Sequence, residues 1–184
     1  MNAREYSLKI VEELRTTLSG VDPETCEALI SRIINAKRVF VAAAGRSALA
    51  IKAFAMRLMH LGFTVYVMGE IVTPAIRKGD LLLIGSGSGE TDSLVAAARR
   101  AKSFGADLAL VTIMPDSSIG RIADVVVRIS APTSKEDTGF VSIQPGGSCF
   151  EQSMLLLNAF VLRIVELLKL DADENLRLRH ANLE

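Results

Sequence analysis

Glycines and hydroxyl-bearing residues alternate in one loop near the middle of the chain. An apolar run at 81–84 leads into Gly-Ser-Gly-Ser-Gly-Glu-Thr at 85–91, and a helical pattern follows at 92–104. Glycines let backbone N–H groups approach a ligand, a helix N-terminus adds unpaired donors and the positive end of a dipole, and hydroxyls donate without adding charge. We therefore interpret this loop as a phosphate site. Its candidate ligands are Ser86, Gly87, Ser88 and Thr91.

Two better-known phosphate motifs do not fit this loop. A P-loop needs Gly-Lys-Ser/Thr after four variable residues, and the loop has no lysine. A dinucleotide fingerprint that begins at Gly85 needs a third glycine at position 90, where Glu90 stands. The pattern therefore favours a small phosphorylated metabolite. The alternative interpretation is a flexible loop in which Thr91 is the N-cap of the next helix.

A second junction of the same kind follows the first predicted strand. Gly45 closes an apolar run at 38–44, and Arg46-Ser47 opens a helical pattern that continues to about Leu61. Gly45 and Ser47 repeat the pairing of a permissive backbone with a hydroxyl at a helix start, so we take both as candidate ligands of the same anion. Arg46 suits a contact to phosphate or ring hydroxyls about as well as an exposed position on a helix start.

Alternating strands and helices are predicted to position these two loops. The five short apolar strands are predicted at 38–44, 64–67, 81–84, 107–113 and 124–129. This alternation favours an α/β domain with three αβα layers around a five-stranded parallel sheet, of the flavodoxin-like or Rossmann-like type. Ligands of open parallel sheets bind beyond the carboxyl ends of the strands, near the point where the strand order reverses. Both loops lie at such strand ends, so we expect them to form one site.

Helical patterns flank this core at both ends of the chain. Residues 3–19 form an amphipathic pattern with Val11, Leu14 and Leu18 on one face, and a second helix follows before the first strand. We expect these two helices to pack outside the sheet or against another subunit. The helix predicted at 148–170 is apolar nearly all round, so we expect a partner subunit to cover part of it.

Length and composition limit the classes of function. We expect residues 1–184 to form a single domain with two N-terminal helices and a C-terminal helical tail. The 21 basic and 21 acidic residues balance, and no basic stripe indicates nucleic-acid binding. The two cysteines form neither a disulfide framework nor a metal motif, which indicates a reducing, cytoplasmic setting. The chain starts without an apolar signal region, and polar residues interrupt its most apolar stretch, so we expect no membrane span.

Five stretches together resemble the sugar isomerase (SIS) domain family and, within it, the 6-phospho-3-hexuloisomerases. They are Gly45-Arg46-Ser47, Ala55 to Gly62, Gly69 to Pro74, Ser86 to Thr91, and Arg179 to Glu184. The resemblance covers nearly the whole chain. Many members of the family share the Ser/Gly loop, and its combination with the C-terminal stretch is more specific.

This resemblance implies a reaction and an assembly. The implied enzyme interconverts D-arabino-hex-3-ulose 6-phosphate and D-fructose 6-phosphate in the ribulose monophosphate pathway of formaldehyde fixation. It uses neither a metal nor an organic cofactor, and it is commonly a tetramer with sites at subunit interfaces. By match to the family's loops, the sugar phosphate would be held by Ser47, Ser86, Ser88 and Thr91.

The implied reaction needs a base that removes the proton on C2, and Glu151 is our candidate. It follows the turn at 145–148 at the start of the long helix, which the resemblance places at the sugar. The alternative is structural, because Ser148-x-x-Glu151 also has the spacing of a capping box. A helix N-terminus favours an ionised carboxylate, which suits a base at neutral pH.

The two histidines differ in their predicted positions. His60 lies on the same helix as Ser47 but 13 residues later, which is about 20 Å away at 1.5 Å per residue. It is better placed to cap the helix C-terminus than to act on the substrate. His180 follows the last predicted helix, and the resemblance implies that this tail approaches a neighbouring subunit's sugar. We take His180 as an acid-base partner or substrate ligand, with a solvated tail histidine as the alternative.

Two other functions stay open on these residues. An isomerase for arabinose 5-phosphate or an amino sugar phosphate would need the same loop, because the loop contacts the phosphate and not the carbon skeleton. The second alternative function is a non-catalytic sugar-phosphate-binding module of a transcription regulator. It would need a DNA-binding domain, for which the chain has neither the length nor a basic helix.

Overall fold

A five-stranded, fully parallel sheet forms the centre of the computed structural model, which describes residues 1–132, 141–144 and 146–183. The strands are β1 (Val39–Ala43), β2 (Val65–Val67), β3 (Leu81–Gly85), β4 (Asp107–Thr112) and β5 (Val125–Arg128). Their order is β2-β1-β3-β4-β5. This arrangement confirms the predicted α/β class, and the order is the flavodoxin-like one.

Seven α-helices accompany the sheet in the described part of the chain. They are α1 (Ala3–Ser19), α2 (Pro23–Asn35), α3 (Ser47–His60), α4 (Asp92–Ser103), α5 (Ser148–Ser153), α6 (Leu156–Leu168) and α7 (Ala172–Arg179). A short 3₁₀ helix, Gly120–Ile122, precedes β5. The predicted helix at 148–170 is divided between α5 and α6, and it ends at Lys169, whose backbone is left-handed with φ 51°.

The three central strands are buried on both faces, as the continuous apolar runs predicted. Every residue of β3 is buried, and the neighbouring strands β1 and β4 contribute one set of side chains to each face. Helices α2, α3 and α6 cover one face, whereas α4 covers the other. The connection between β2 and β3 is irregular and adds no helix to the second face.

The α5–α6 segment has an inner and an outer face. By length and composition alone, Ser148–Leu168 would qualify as a membrane span, and 44% of its most apolar window is buried inside the protein. Leu157, Phe160 and Ile164 lie in the core, while Leu162 is 71% exposed. Half-burial of this kind is typical of a core helix. The predicted burial on more than one side is not met within a single chain.

Helix α1 packs on α5 and not on the sheet, and its buried face differs from the predicted one. Val11 is exposed and Leu14 is half-buried, whereas Glu13 and Thr17 are buried. Val11, which the pattern places on the apolar face, is therefore not covered within a single chain. Polar groups of this helix face inward because they find hydrogen-bond partners beside α5.

Candidate functional site

The two candidate loops leave the sheet side by side. Ala43 at the end of β1 is paired with Gly85 at the end of β3. These neighbouring strands form the point where the strand order reverses, and their following loops open the crevice in which such sheets bind ligands. The expectation that both loops meet at one edge of the sheet is confirmed.

The Ser/Gly loop is closed by its own hydroxyls. The Ser86 Oγ accepts a hydrogen bond from the Gly89 N–H at 3.1 Å, and the Ser88 Oγ accepts one from the Glu90 N–H at 3.3 Å. Each hydroxyl keeps its own proton for donation to a ligand. Among the described residues, the backbone N–H groups of Gly87, Ser88 and Thr91 have no recorded acceptor. The loop therefore presents several donors, and its glycine and serine residues carry no charge.

Close packing prevents this loop from carrying larger residues. Gly89 has a φ of 61°, and a Cβ there would lie 2.0 Å from the Ser117 Oγ. A Cβ on Gly87 would lie 3.3 Å from the Phe150 ring of α5. The glycines thus allow the loop to pack closely on the segment between β4 and β5 and on α5, the helix that carries Glu151.

The start of α4 is open to an anion. Thr91 is the N-cap residue, but its side chain makes no capping hydrogen bond, so the capping alternative for its hydroxyl is not realised. The neighbouring Glu90 carboxylate accepts from the Ser118 N–H at 2.6 Å. The hydrogen bond from Ser118 lowers the pKa of Glu90. Glu90 therefore holds the loop against the segment between β4 and β5. The Thr91 hydroxyl stays available for a ligand.

Arg46 connects the loop after β1 to the start of α5. Its Nη2 donates to the Gly146 carbonyl at 2.6 Å, its Nη1 lies 3.5 Å from the Ser148 Oγ, and its Nε lies 2.9 Å from the Glu151 carboxylate. Gly45, with φ 56°, and Ser47, the first residue of α3, flank it. Arg46 lies at a helix start with its side chain 57% exposed, which agrees with one of its two interpretations, and its guanidinium also pairs with a carboxylate.

Glu151 lies at the same edge of the sheet. Helix α5 begins after Gly147, a left-handed N-cap with φ 82°, and Ser148 is already its first helical residue. The capping box that the spacing predicted is therefore not formed. The Glu151 side chain is 22% exposed and is paired with Arg46. A carboxylate that is held in place but still reached by solvent is suited to proton transfer.

The histidines meet each other far from these loops. The His60 and His180 rings stack with their centroids 5.8 Å apart and their planes 17° apart. His60 is the last residue of α3, about 20 Å along the helix from Ser47. Within one chain, His180 therefore lies away from the Ser/Gly loop. Burial lowers the pKa of His60, and the charges of Arg57 and His180 lower it further.

Neither cysteine is suited to act as a nucleophile at this edge of the sheet. Burial raises the pKa of the Cys26 thiol to about 11, and it also raises that of Cys149. Neither cysteine is in a disulfide. In the ranges that the structure describes, no cluster of three His, Cys, Asp or Glu side chains could hold a metal ion.

One buried carboxylate beside the site was not predicted from the sequence. Glu13 of α1 accepts from the Ile143 N–H at 3.2 Å and from the Gln144 side-chain amide at 2.8 Å. The only sequence signal was its spacing from Thr17, which puts two polar residues on one helix face. That signal is weak, because surface helices carry such pairs routinely.

Known proteins resemble this chain over nearly all of its length. A family model described as SIS domain matches residues 32–163. A Bacillus subtilis (strain 168) protein named 3-hexulose-6-phosphate isomerase is 44% identical, with 100% of both chains covered. A Mycobacterium gastri protein of the same name is 44% identical, over 94% of this chain and 87% of that protein.

A solved structure gives the same result in three dimensions. The crystal structure of a Methanococcus jannaschii protein, for which the function of a 3-hexulose-6-phosphate isomerase was inferred, superimposes with a TM-score of 0.84 at 34% identity. The superposition covers 97% of this chain and 99% of that one. Sequence and structure comparisons therefore select the same group of proteins.

Proposed function

The chain belongs to the SIS domain family, and we propose that it is a 3-hexulose-6-phosphate isomerase. This enzyme would interconvert D-arabino-hex-3-ulose 6-phosphate and D-fructose 6-phosphate, a step of the ribulose monophosphate pathway. The relatives at 44% identity carry that name over their full or nearly full length. The observation that carries the proposal is the position of Glu151, at the edge of the sheet where β1 and β3 separate and the Ser/Gly loop begins.

The Ser/Gly loop would bind the phosphate group. Its hydroxyls and unpaired N–H groups lie at the edge of the sheet where the N-termini of α3 and α4 add two positive dipole ends. The proposed ligands are Ser47, Ser86, Gly87, Ser88 and Thr91, with Gly45 permitting the turn. Such a site fixes one end of the sugar and supplies the binding energy that orients the carbons.

Glu151 would be the base. Its carboxylate removes the proton on C2 of the 3-ketose, and the electron pair of the C–H bond forms the C2–C3 double bond of a cis-enediol. The same carboxyl group then returns the proton to C3, which leaves the carbonyl on C2. Arg46 would hold the carboxylate in orientation during both transfers.

The hydroxyl protons of the enediol need a second group, and we assign it to His180 of a neighbouring subunit. His180 is exposed at the end of α7, where a second chain has access to it. The exposed outer face of α6, with Leu162 at its centre, supplies apolar surface for such an assembly. We propose a homo-oligomer, most simply a tetramer, with sites shared between subunits.

The two buried, unpaired cysteines fit a reducing setting, and we propose that the enzyme works in the cytoplasm.

The direct test of the function is turnover of fructose 6-phosphate by the purified protein. Appearance of the 3-ketose is the expected result, and incubation with arabinose 5-phosphate is the parallel assay. Turnover of arabinose 5-phosphate alone would replace the proposed substrate by a pentose phosphate. Binding without turnover of either sugar would favour a sugar-phosphate-binding module.

A further inference from the structure

Glu13 is a buried carboxylate on an element that lies outside the part of the chain matched to the SIS domain. Helix α1 covers residues 3–19, whereas the match starts at residue 32. The Glu13 side chain is 7% exposed. A buried carboxylate is costly unless hydrogen bonds compensate it, so the partners of Glu13 indicate what it stabilises.

Those partners belong to the segment that leads into the site. The Glu13 Oε1 accepts the Ile143 backbone N–H at 3.2 Å, and the Oε2 accepts the Gln144 side-chain amide at 2.8 Å. Hydrogen bonds to an ionised acceptor are about twice as strong as those between neutral groups. Both oxygens of one carboxylate therefore fix the segment 141–144 against α1.

Arg46 fixes the same stretch a few residues further along the chain. Its guanidinium donates to the Gly146 carbonyl and pairs with Glu151. The two left-handed glycines, Gly146 and Gly147, lie between the contacts of Glu13 and the first turn of α5. Glycines in this conformation are permissive, so the path into α5 depends on contacts at both ends of the segment.

A second contact keeps α1 in register with α5. The Thr17 Oγ1, one helical turn after Glu13, lies 3.4 Å from the Cys149 Sγ in the first turn of α5. Glu13 and Thr17 are thus the buried polar pair of α1, and both face the helix that carries Glu151. This explains why the inward face of α1 is polar.

We propose that Glu13 is a positioning residue for Glu151: it holds the segment that sets where α5 begins and so where the Glu151 carboxylate lies. The proposal rests on the proposed role of Glu151 as the base. A misplacement of a catalytic group by about 1 Å can cost about 100-fold in rate. In the part of the chain that the structure describes, the hydrogen bonds of the Glu13 carboxylate go to Ile143 and Gln144 and not to the Ser/Gly loop, so we expect phosphate binding to be independent of Glu13.

The test compares three variants with the wild-type protein in the fructose 6-phosphate assay. Glu13→Ala removes both acceptors, and we expect kcat to fall by about 10- to 100-fold while KM stays within about twofold. Glu13→Gln keeps a carbonyl oxygen for the Ile143 N–H and should recover most of the loss. The matched control is Glu12→Ala, the neighbouring carboxylate, which pairs with Arg15 on the exposed side of α1. It should leave kcat unchanged.

Assays are run well below the melting temperature of each variant, so that partial unfolding does not imitate a loss of kcat. If Glu13→Ala does not fold, Gln144→Ala removes one of the same hydrogen bonds without altering α1, and it should lower kcat by a smaller factor. Unchanged kcat in folded Glu13→Ala or Gln144→Ala would overturn the proposal. A change in KM as large as the change in kcat would also overturn it.

Hydrogen exchange provides a readout that does not need turnover. Amides of residues 141–151 should exchange faster in Glu13→Ala than in Glu12→Ala, while those of the Ser/Gly loop should not. Equal exchange in both variants would show that Glu13 does not hold the segment. An inactive wild-type protein would instead reject the proposed function, and the exchange result would still decide what Glu13 holds.

Discussion

The Arg46 guanidinium lies 2.9 Å from the Glu151 carboxylate and joins the loop after β1 to the first turn of α5. Arg46 is 57% exposed, so this ion pair contributes at most about 1 kcal/mol to folding. Its consequence is geometric. It holds the only carboxylate proposed as a base at the edge of the sheet where the phosphate-type loop opens.

Replacing Glu151 by glutamine should separate chemistry from binding. We expect Glu151→Gln to lower kcat by about 10²- to 10⁴-fold, the usual contribution of a general base, because the amide cannot accept the C2 proton. Competitive inhibition by inorganic phosphate should stay near the wild-type value, since the Ser/Gly loop is unaltered. Steady-state kinetics with phosphate as the inhibitor measures both.

The control for this variant is Glu12→Gln on α1, whose carboxylate pairs with Arg15 at the surface. It should retain wild-type kcat. Activity of Glu151→Gln comparable to that of the control would leave Glu151 with a structural role only.

Glycines 89 and 45 should respond differently to alanine although both have positive φ. In Gly89→Ala, the new Cβ would lie 2.0 Å from the Ser117 Oγ, so the loop must shift in addition to the backbone strain. In Gly45→Ala, nothing lies within 4 Å of the Cβ, and only the left-handed backbone costs about 1–2 kcal/mol.

We therefore expect a larger fall in the free energy of unfolding for Gly89→Ala, together with weaker phosphate binding. Urea denaturation and phosphate titration measure the two effects. Equal destabilisation of the two variants would contradict the close contact between Gly89 and Ser117.

The buried histidine should make stability depend on pH. His60 is 5% exposed and its Nδ1 has no partner among the described residues, so the folded state disfavours its charged form. Its pKa is lowered from 6.5 on folding, chiefly by burial. As the pH falls below about 6.5, the unfolded state binds the proton first, and stability that is present above that pH is lost.

Urea denaturation between about pH 7.5 and about pH 5.5, one unit on either side of the ordinary histidine pKa, measures this loss. In His60→Phe, which keeps a ring against His180 but cannot be protonated, the dependence on pH should be weaker. An identical profile for the variant and the wild type would assign the loss of stability to other groups.

Subunit sharing of the site predicts complementation between inactive chains. His180→Ala and Glu151→Gln should each be inactive alone, because one lacks the proposed proton shuttle and the other the base. Mixed under conditions that exchange subunits, they should regain part of the activity, since some interfaces then combine an intact Glu151 with an intact His180. Gel filtration establishes the assembly, and an inactive mixture of exchanged subunits would contradict the shared site.

Most of the local structure was predictable because residue types determine it. Short apolar runs placed all five strands to within a residue or two, and glycine with hydroxyl residues identified both loops at the ends of β1 and β3. Periodicity was less informative for α1, where the apolar face includes the exposed Val11 and the buried Glu13 was overlooked. Helical periodicity identifies a buried face by its hydrophobic residues, whereas the buried face of α1 is stabilised by hydrogen bonds to a segment distant in the sequence.

The sequence by itself determined the strands, the phosphate-type loop and the class of ligand, because backbone conformation there follows from glycine, hydroxyl and β-branched residues a few positions apart. Only the tertiary structure decided what Glu151 contacts. Its spacing from Ser148 left a capping box as the alternative to a base, but α5 begins after the left-handed Gly147 and the Glu151 carboxylate pairs with Arg46 instead. That pairing joins residues far apart in the chain, and it exists because the strand order brings the end of β1 beside the path into α5.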